Sequence, residues 1–306
     1  MTTFNVYRRD TSEDPLVAIA TGVEVTNYVD ATAVEGRTYL YSIGALKDGH
    51  EKISSEILVS TVNHPVLSLF KNAEKGLWLD FSDMSQMYQD SAGTVSVTAV
   101  SQPIGKVLDK SGNSNHAAQT ASSRRPVFQT DGAFFDGVDD FLKTIAAVDY
   151  GQTNYLEVFL KIKSLYRSTS FYGGVTLESG DPSYTANGAG GFISLAPEEN
   201  DSITAGSNTS SSNVAVLYPG SGRVYDGVYS IRINNSEVAL IGKDQSYSKP
   251  KTGATAIRSD FLNIGARTQS GAPVLGFYGY IKQLVIVNRE LTALERSNLT
   301  AFLESH

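Results

Sequence analysis

Apolar and polar residues alternate along the first sixty positions of the chain. Turn residues, such as Asp10 and the pair Asp48 and Gly49, separate the alternating runs. Alternation with a period of two is typical of half-buried β-strands bounded by turns. The pattern therefore predicts strands around residues 4–6, 16–19, 39–43 and 57–59.

The same alternation continues over the rest of the chain. It predicts further strands at residues 77–81, 134–135, 141–145, 155–162, 170–177, 191–195, 214–217, 228–233, 238–241, 261–264 and 277–287. Many strands joined mostly by short turns favour a large sandwich over a barrel of alternating strands and helices.

One helix is predicted, at the C-terminal end. Thr292 and Glu295 have the T-x-x-E spacing of a capping box, in which each side chain binds the other residue's backbone N–H. Leu299 and Leu303, with Leu294 and Phe302 nearby, can supply an apolar side. The pattern indicates a short amphipathic helix beginning after Thr292.

Composition narrows the classes of function. The chain has 306 residues, of which 41% are hydrophobic, and its net charge is −7. That length favours two domains, and the acidic balance argues against a nucleic-acid partner. The sequence contains no cysteine, which excludes disulfides and thiol chemistry. It shows neither a signal-like N-terminus nor an apolar run of roughly 20 residues, so we expect a soluble protein without membrane insertion.

The N-terminal run resembles the C-terminal half of a fibronectin type III domain. The family's x-G-x-x-Y-x-Y step is matched by Gly36, Tyr39 and Tyr41, and counterparts of its first two strands are missing before Phe4. The resemblance implies a partial module at residues 1–62, followed by a linker at 63–75. Because a half sandwich leaves unpaired strand edges, we expect another protein or the rest of the chain to cover them.

The remainder resembles a laminin-G-like, concanavalin-type lectin domain. The matching motifs are Trp78-x-Asp80, the DKSGNSNH run from Asp109, Arg125-Pro126, the FDGVDDF run from Phe135, and the FYGYIKQLVIVNREL ending. The resemblance implies a jelly roll over residues 76–306. The expected fold class is therefore all-β: a partial immunoglobulin- or fibronectin-like sandwich, then a concanavalin-like jelly-roll sandwich with a short C-terminal helix.

The short sequence motifs DSAGT and DKSGN look most like those of modules in tailed-bacteriophage virion proteins. This resemblance implies a non-enzymatic virion surface protein, made in the host cytoplasm and present in many copies. The N-terminal module would dock on other virion proteins, and the lectin-like domain would contact host glycans. A purely structural capsid or tail role is the alternative, and a glycoside hydrolase is a weaker one because the E-x-D-x-x-E strand of concanavalin-type glucanases is absent.

Two groups of residues are candidates for metal or acid–base chemistry. Asp109, Ser111, Asn113 and Asn115 place oxygen atoms at alternate positions, as a Ca²⁺ loop would, although the same residues favour an ordinary tight turn. No other cofactor is expected. The second group contains three acids in the FDGVDDF run, namely Asp136, Asp139 and Asp140. They suggest paired carboxylates or, more simply, a hairpin corner.

A candidate carbohydrate site lies in residues 168–222, which contain no Lys or Arg. Tyr184 offers a flat ring for a sugar, while Asn187, Asp201 and Asn208 offer polar groups for hydroxyls. The competing interpretation of this stretch is a solvated surface loop.

Overall fold

The computed structural model divides the chain into two compact units, Met1–His64 and Pro65–His306. It describes residues 2–25, 28–30, 32–33, 37–60, 64–165, 175–177, 196–198, 202–209, 212–219, 226–243, 246–250, 257, 259–269 and 272–306. The boundary falls at His64, and residues 65–75, which the sequence suggests as a linker, belong to the second unit.

The described part of the first unit contains five strands. They are β1 (Thr3–Arg9), β2 (Val17–Val23), β3 (Thr38–Lys47), β4 (His50–Ile53) and β5 (Ile57–Ser60). The described strands form one antiparallel sheet in the order β2-β1-β3. The other edge of β3 pairs with β4 along one part and with β5 along another. The prediction of β-structure here is confirmed, and β4 is a strand that the sequence pattern did not predict.

On one face of this sheet, hydrogen-bonded polar side chains lie beside two buried side chains. Val6 and Tyr39 are buried, and the Arg8 guanidinium lies 4.5 Å from the Tyr39 ring centre. Asp30 joins this group, because its carboxylate accepts hydrogen bonds from Arg8 and from the Tyr41 hydroxyl, each at 2.8 Å. A side chain from the loop after β2 thereby fastens that loop to β1 and β3.

The second unit contains nineteen described strands, three 3-10 turns and one α-helix. The strands are β6 (Gly76–Asp80), β7 (Met87–Tyr88), β8 (Lys106–Val107), β9 (Ala117–Ala118), β10 (Val127–Gln129), β11 (Gly132–Asp136), β12 (Leu142–Thr144), β13 (Leu156–Ser164), β14 (Val175–Leu177), β15 (Ala196–Glu198), β16 (Ser202–Thr209), β17 (Ser212–Pro219), β18 (Asp226–Ile233), β19 (Glu237–Ile241), β20 (Ser246–Pro250), β21 (Leu262–Ile264), β22 (Ala266–Gln269), β23 (Ala272–Gly276) and β24 (Tyr278–Val287). The 3-10 turns are Leu67–Phe70, Met84–Gln86 and Ser122–Arg124, and the helix is α1 (Ala293–Ser305).

Two antiparallel sheets dominate this unit. The larger has the order β10-β11-β24-β13-β18-β19-β20, with β6 paired to the other part of β24. The smaller has the order β14-β21-β12-β9-β8-β7. Side chains of both sheets, among them Leu79, Leu160 and Ile281 from the larger and Val107 and Ile264 from the smaller, form one buried cluster. The unit is therefore a two-sheet sandwich, and the all-β fold class is confirmed.

A second buried cluster lies on the outer face of the larger sheet. Trp78, Phe159 and Val285 come from the strands, and Leu299 and Leu303 come from α1. The 3-10 turn Leu67–Phe70 contributes to the same cluster. The helix thus covers the part of this face that carries Trp78, Phe159 and Val285. Other side chains occupy the rest of the face.

The helix begins as the capping box predicts. The Thr292 hydroxyl accepts a hydrogen bond from the Glu295 backbone N–H, and the Glu295 carboxylate accepts one from the Thr292 N–H. Farther along, Arg296 forms an ion pair at 2.7 Å with Glu157 of β13, whose side chain is 2% exposed. The pair ties α1 to the middle of the sheet.

No helix in the described part of the chain is both long and apolar enough to cross a membrane.

Candidate functional site

Three aromatic side chains form a row on the outer face of the larger sheet. Strand register places Phe134 of β11 opposite Tyr280 of β24, with Tyr278 two residues away on the same face. The Phe134 ring centre lies 5.1 Å from that of Tyr280 and 6.0 Å from that of Tyr278. All three side chains are half-buried. We call this group the aromatic row.

The neighbours of the row explain why its rings face outward. Ala133, Phe135 and Ile281 alternate with the aromatic residues and are buried in the core between the sheets. Gly279, between the two tyrosines, has a φ of 145°, and a Cβ added there would lie 2.4 Å from the Lys163 carbonyl oxygen. Glycine is therefore required for β24 to approach β13 this closely.

A cleft with a volume of about 300 Å³ lies on the same part of the unit. It is lined by Asp131, Lys161, Ile162, Lys163, Asp226, Lys282, Glu304, Ser305 and His306. Lys163 lines this cleft, and its ammonium group lies 5.8 Å from the Tyr280 ring centre. The cleft and the aromatic row are therefore contiguous.

Two ion pairs shape the cleft. Lys161 bonds Glu304 at 2.6 Å, and Lys163 bonds Asp131 at 2.8 Å. The hydrogen bond to Asp131 raises the pKa of Lys163. Burial alone would raise the pKa of Glu304, but hydrogen bonds from Lys161 and from the Val228 N–H hold it below its usual range. The two shifts favour the charged forms of Lys163 and Glu304.

A β-bulge in β24 adds a third lysine, Lys282, to the lining of the cleft. Lys161 pairs with Gln283 while Ile162 pairs with Ile281, so Lys282 is the extra residue on β24. Lys282 then lines the cleft, close in sequence to Tyr280. The arrangement combines flat apolar rings with paired donors and acceptors, and it can hold a ligand that has an apolar face and several hydroxyl groups.

The loop predicted as a Ca²⁺ site is organised by a saturated carboxylate. Asp109 is 8% exposed. Its Oδ1 accepts hydrogen bonds from the backbone N–H groups of Trp78 and Ser111, at 2.8 and 2.9 Å. Its Oδ2 accepts from the Ser111 hydroxyl and the Asn115 N–H, each at 2.8 Å. Each oxygen therefore already accepts two hydrogen bonds, which is the geometry of a structural turn.

The two asparagines of this loop act in the same way. Asn113 donates its side-chain amide to the Glu74 carbonyl at 3.0 Å, and Asn115 donates to the Gly76 carbonyl at 2.7 Å. His116 accepts a hydrogen bond from the Asp109 N–H through Nδ1 at 2.9 Å. These contacts fasten the loop to the start of β6 and fit the turn interpretation, and the Ca²⁺ assignment stays a prediction.

The three acids of the FDGVDDF run do lie together. One carboxylate oxygen from each of Asp136, Asp139 and Asp140 lies within 4.8 Å of the others. Asp140 is 6% exposed and accepts a hydrogen bond from the Asp136 N–H at 3.1 Å. Burial, together with the charges of Asp136 and Asp139, raises the pKa of Asp140 to about 7.

The shape of this run is that of a corner between β11 and β12. Gly137 has a φ of 74°, and the Asp136 carboxylate accepts the Val138 N–H at 2.8 Å. Asp139 forms an ion pair at 3.4 Å with Arg124. A local turn therefore accounts for the positions of these acids, as the simpler interpretation of the sequence proposed.

The structure describes only one of the four predicted sugar-binding residues, and that one only through its backbone. Tyr184, Asn187 and Asp201 lie outside the described residues. The backbone of Asn208 pairs with Asn213 in the β16–β17 hairpin, and its side chain lies outside the description. These four assignments remain predictions.

Sequence reasoning missed the aromatic row and the cleft. The usable signal was the Tyr278-Gly279-Tyr280 step, in which two aromatic residues flank a glycine and so lie on the same face of a strand. Lys161 and Lys163 show the same alternation in β13, where Ile162 between them is buried. Neither signal reveals by itself that the two strands are neighbours.

Comparison with known proteins yields likeness in structure alone. No family model matches the chain, and no curated protein matches it. A GH54 α-L-arabinofuranosidase soaked with a cyclic sulfate inhibitor aligns with a TM-score of 0.52 at 11% identity, covering 79% of this chain and 65% of that one. A mutant GH54 α-L-arabinofuranosidase soaked with 4-nitrophenyl α-L-arabinofuranoside aligns with a TM-score of 0.51 at 12% identity and the same coverage.

A third match is shorter. The CBM40 of Ruminococcus gnavus IT-sialidase, bound to alpha2,3 sialyllactose, aligns with a TM-score of 0.39 at 11% identity over 48% of this chain and 83% of that one. A TM-score at that level does not establish a shared fold. The two arabinofuranosidase structures show that the fold is shared, and at their identity they show nothing further about this chain.

Proposed function

We propose that this protein is a non-enzymatic surface protein of a tailed-phage virion that makes weak, multivalent contact with glycans. The glycan binds on the aromatic row and in the adjoining cleft. The observation that carries the proposal is the contiguity of the two, with Lys163 contacting the Tyr280 ring and also lining the cleft.

Sugar chemistry fits this surface. One face of a pyranose ring is lined by C–H groups, which pack on aromatic rings such as those of Phe134 and Tyr280. Its hydroxyls need donors and acceptors, which the Lys161–Glu304 and Lys163–Asp131 pairs supply. The arabinofuranosidase with the same fold was solved with an arabinofuranoside, so the fold is compatible with carbohydrate ligands.

The carboxylates of the cleft support binding without hydrolysis. Glycoside hydrolysis commonly needs one carboxyl group held protonated beside a second that is ionised. Glu304 has a lowered pKa, and Asp131 is paired with Lys163. Asp140, whose pKa is raised to about 7, is not among the residues lining the cleft.

Attachment to the particle is assigned to the first unit. The short strand β5 lies at an edge of its sheet. Its residues Ile57 and Leu58 are 64% and 68% exposed. Exposed apolar edge strands can pair with a strand of a neighbouring protein. Weak sugar contacts then gain strength because many copies are displayed together.

The attachment is tested by incorporation into virus-like particles. We expect the double variant I57K/L58K to lose incorporation, because the added charges oppose strand pairing and apolar contact. Val138→Lys is the matched control, since Val138 is 63% exposed and belongs to the second unit. Normal incorporation of the double variant would refute attachment through β5.

Glycan contact is tested with the purified protein displayed multivalently on an array. We expect Tyr280→Ala and Phe134→Ala each to abolish binding, while Tyr28→Ala, which removes a 43% exposed ring from the first unit, leaves it intact. Thermal melting of each variant separates lost binding from lost folding. Binding that survives both site variants contradicts the proposed site, and the absence of binding at every valency favours the purely structural role. Release of free sugar from the array would indicate a hydrolase.

A further inference from the structure

We infer that the glycan held by the aromatic row and the cleft is neutral, without carboxylate or sulfate groups. This inference rests on the function proposed above and specifies the ligand class of the same site. It follows from the ion pairs that the charged side chains of the cleft already form with one another.

The ionisable side chains of the cleft are balanced. Its lining contains three lysines and three carboxylates, together with His306. Two of the lysines, Lys161 and Lys163, are engaged by Glu304 and Asp131 at 2.6 and 2.8 Å. An anionic ligand would have to take one of these ammonium groups from a carboxylate that remains in place.

The remaining cations offer little to an anion. Lys282 has no ion pair among the residues that the structure describes, but Asp226 lines the same cleft with the opposite charge. The His306 ring stacks on Phe302 at 4.3 Å between centres, and its Nδ1 lies 2.9 Å from the Phe302 carbonyl oxygen. The net charge of −7 adds a general repulsion toward polyanions.

A neutral sugar can use the ion pairs without breaking them. Each pair presents an N–H donor beside a carboxylate acceptor, and each hydroxyl of a sugar both donates and accepts. A hydroxyl can therefore accept from Lys163 and donate to Asp131 while the pair stays closed. Packing of the neighbouring Tyr280 ring on the C–H face of the sugar does not depend on the salt concentration.

The experiment compares neutral probes with acidic probes on the same array. Lactose, arabinobiose and cellobiose are the neutral probes, and sialyllactose and oligogalacturonate are the acidic ones. We expect the protein to bind at least one neutral probe and to bind it almost equally at low and high sodium chloride concentration, because a neutral ligand releases no counter-ions. Tyr280→Ala must abolish that binding.

Glu304→Gln provides a second readout. It removes the charge that holds Lys161, so we expect neutral binding to weaken by about tenfold and acidic binding to rise. Glu13→Gln, an exposed position of the first unit, is the matched control, and thermal melting shows whether the site variant is folded.

The outcomes separate the two proposals. Tyr280-dependent binding of an acidic probe that exceeds neutral binding and falls steeply with salt would overturn the neutral assignment while leaving the glycan site intact. If no probe binds in a Tyr280-dependent manner, the proposed function itself fails. Neutral binding that falls steeply with salt also contradicts the inference.

Discussion

Replacing Asp140 by asparagine tests the reasoning about buried charge in this fold. Asp140 is 6% exposed, and the residues facing it include two further acids, Asp136 and Asp139. Arg124 pairs with Asp139, and no ion pair to Asp140 is present in the part of the chain that the structure describes. Asparagine has the shape of the protonated carboxyl group and can still accept the hydrogen bond from the Asp136 N–H.

The magnitude follows from the pKa of this group. Folding raises the pKa of Asp140 from 3.8 to about 7, so the native state binds its proton more tightly than the unfolded state does. The associated stability is fully present below the unfolded pKa and is lost as the pH rises through the folded pKa. The separation of the two values corresponds to about 4 kcal/mol. Solvent screening of the exposed neighbours reduces this, so we expect Asp140→Asn to be more stable than the parent by about 2 kcal/mol above pH 7.

The assay is urea unfolding of the parent and the variant at a series of pH values. We expect the stability difference to be largest at alkaline pH and to vanish only as the pH falls well below the unfolded pKa of 3.8, to about 3, where the parent carboxyl is protonated in both states. Asp10→Asn is the control, because Asp10 is exposed and forms only a 3.5 Å surface pair. A variant that is less stable than the parent at alkaline pH, or a difference that does not change with pH, would refute the reasoning.

Three further predictions concern contacts that hold the second unit together. Asp109→Ala should lower the free energy of unfolding by about 3 kcal/mol, because it leaves buried N–H groups unsatisfied. Ca²⁺ should not raise the melting temperature of the parent protein. A clear rise with Ca²⁺ would support the metal interpretation of this loop. Glu157→Gln should cost about 3 kcal/mol in urea unfolding, because it removes the buried partner of Arg296 and leaves that arginine only its 3.5 Å pair with the exposed Glu290. Glu290→Gln removes this weaker pair and should change stability by less than about 0.5 kcal/mol. Equal effects of the two substitutions would contradict this. Leu303→Ala should lower the free energy of unfolding by about 2–5 kcal/mol, because it opens a cavity under α1. Leu294→Ala, at a site that is 69% exposed, should leave the melting temperature nearly unchanged. A mild effect at Leu303 would mean that the helix is not anchored there.

The strands and the helix could be predicted because their signals are local. A strand shows its two faces in any five consecutive residues, as in β13, where buried Leu160 and Ile162 alternate with Lys161 and Lys163. The capping box of α1 needs only Thr292 and Glu295, three positions apart. The Asp109 loop was also interpretable, since aspartate and asparagine beside a glycine favour a turn that bonds its own backbone.

The candidate site could not be predicted, because its parts meet only through the sheet. Phe134 and Tyr280 are far apart in the chain and become neighbours through the pairing of β11 with β24. The chain shows that Asp140 is an acid near two others, but only the packing around it determines its burial and hence its raised pKa. The sequence by itself therefore determined the all-β class, most strand positions and the helix start, which depend on neighbouring residues. The tertiary structure decided which aromatic rings and charges share a surface, because register and burial arise from contacts between distant segments.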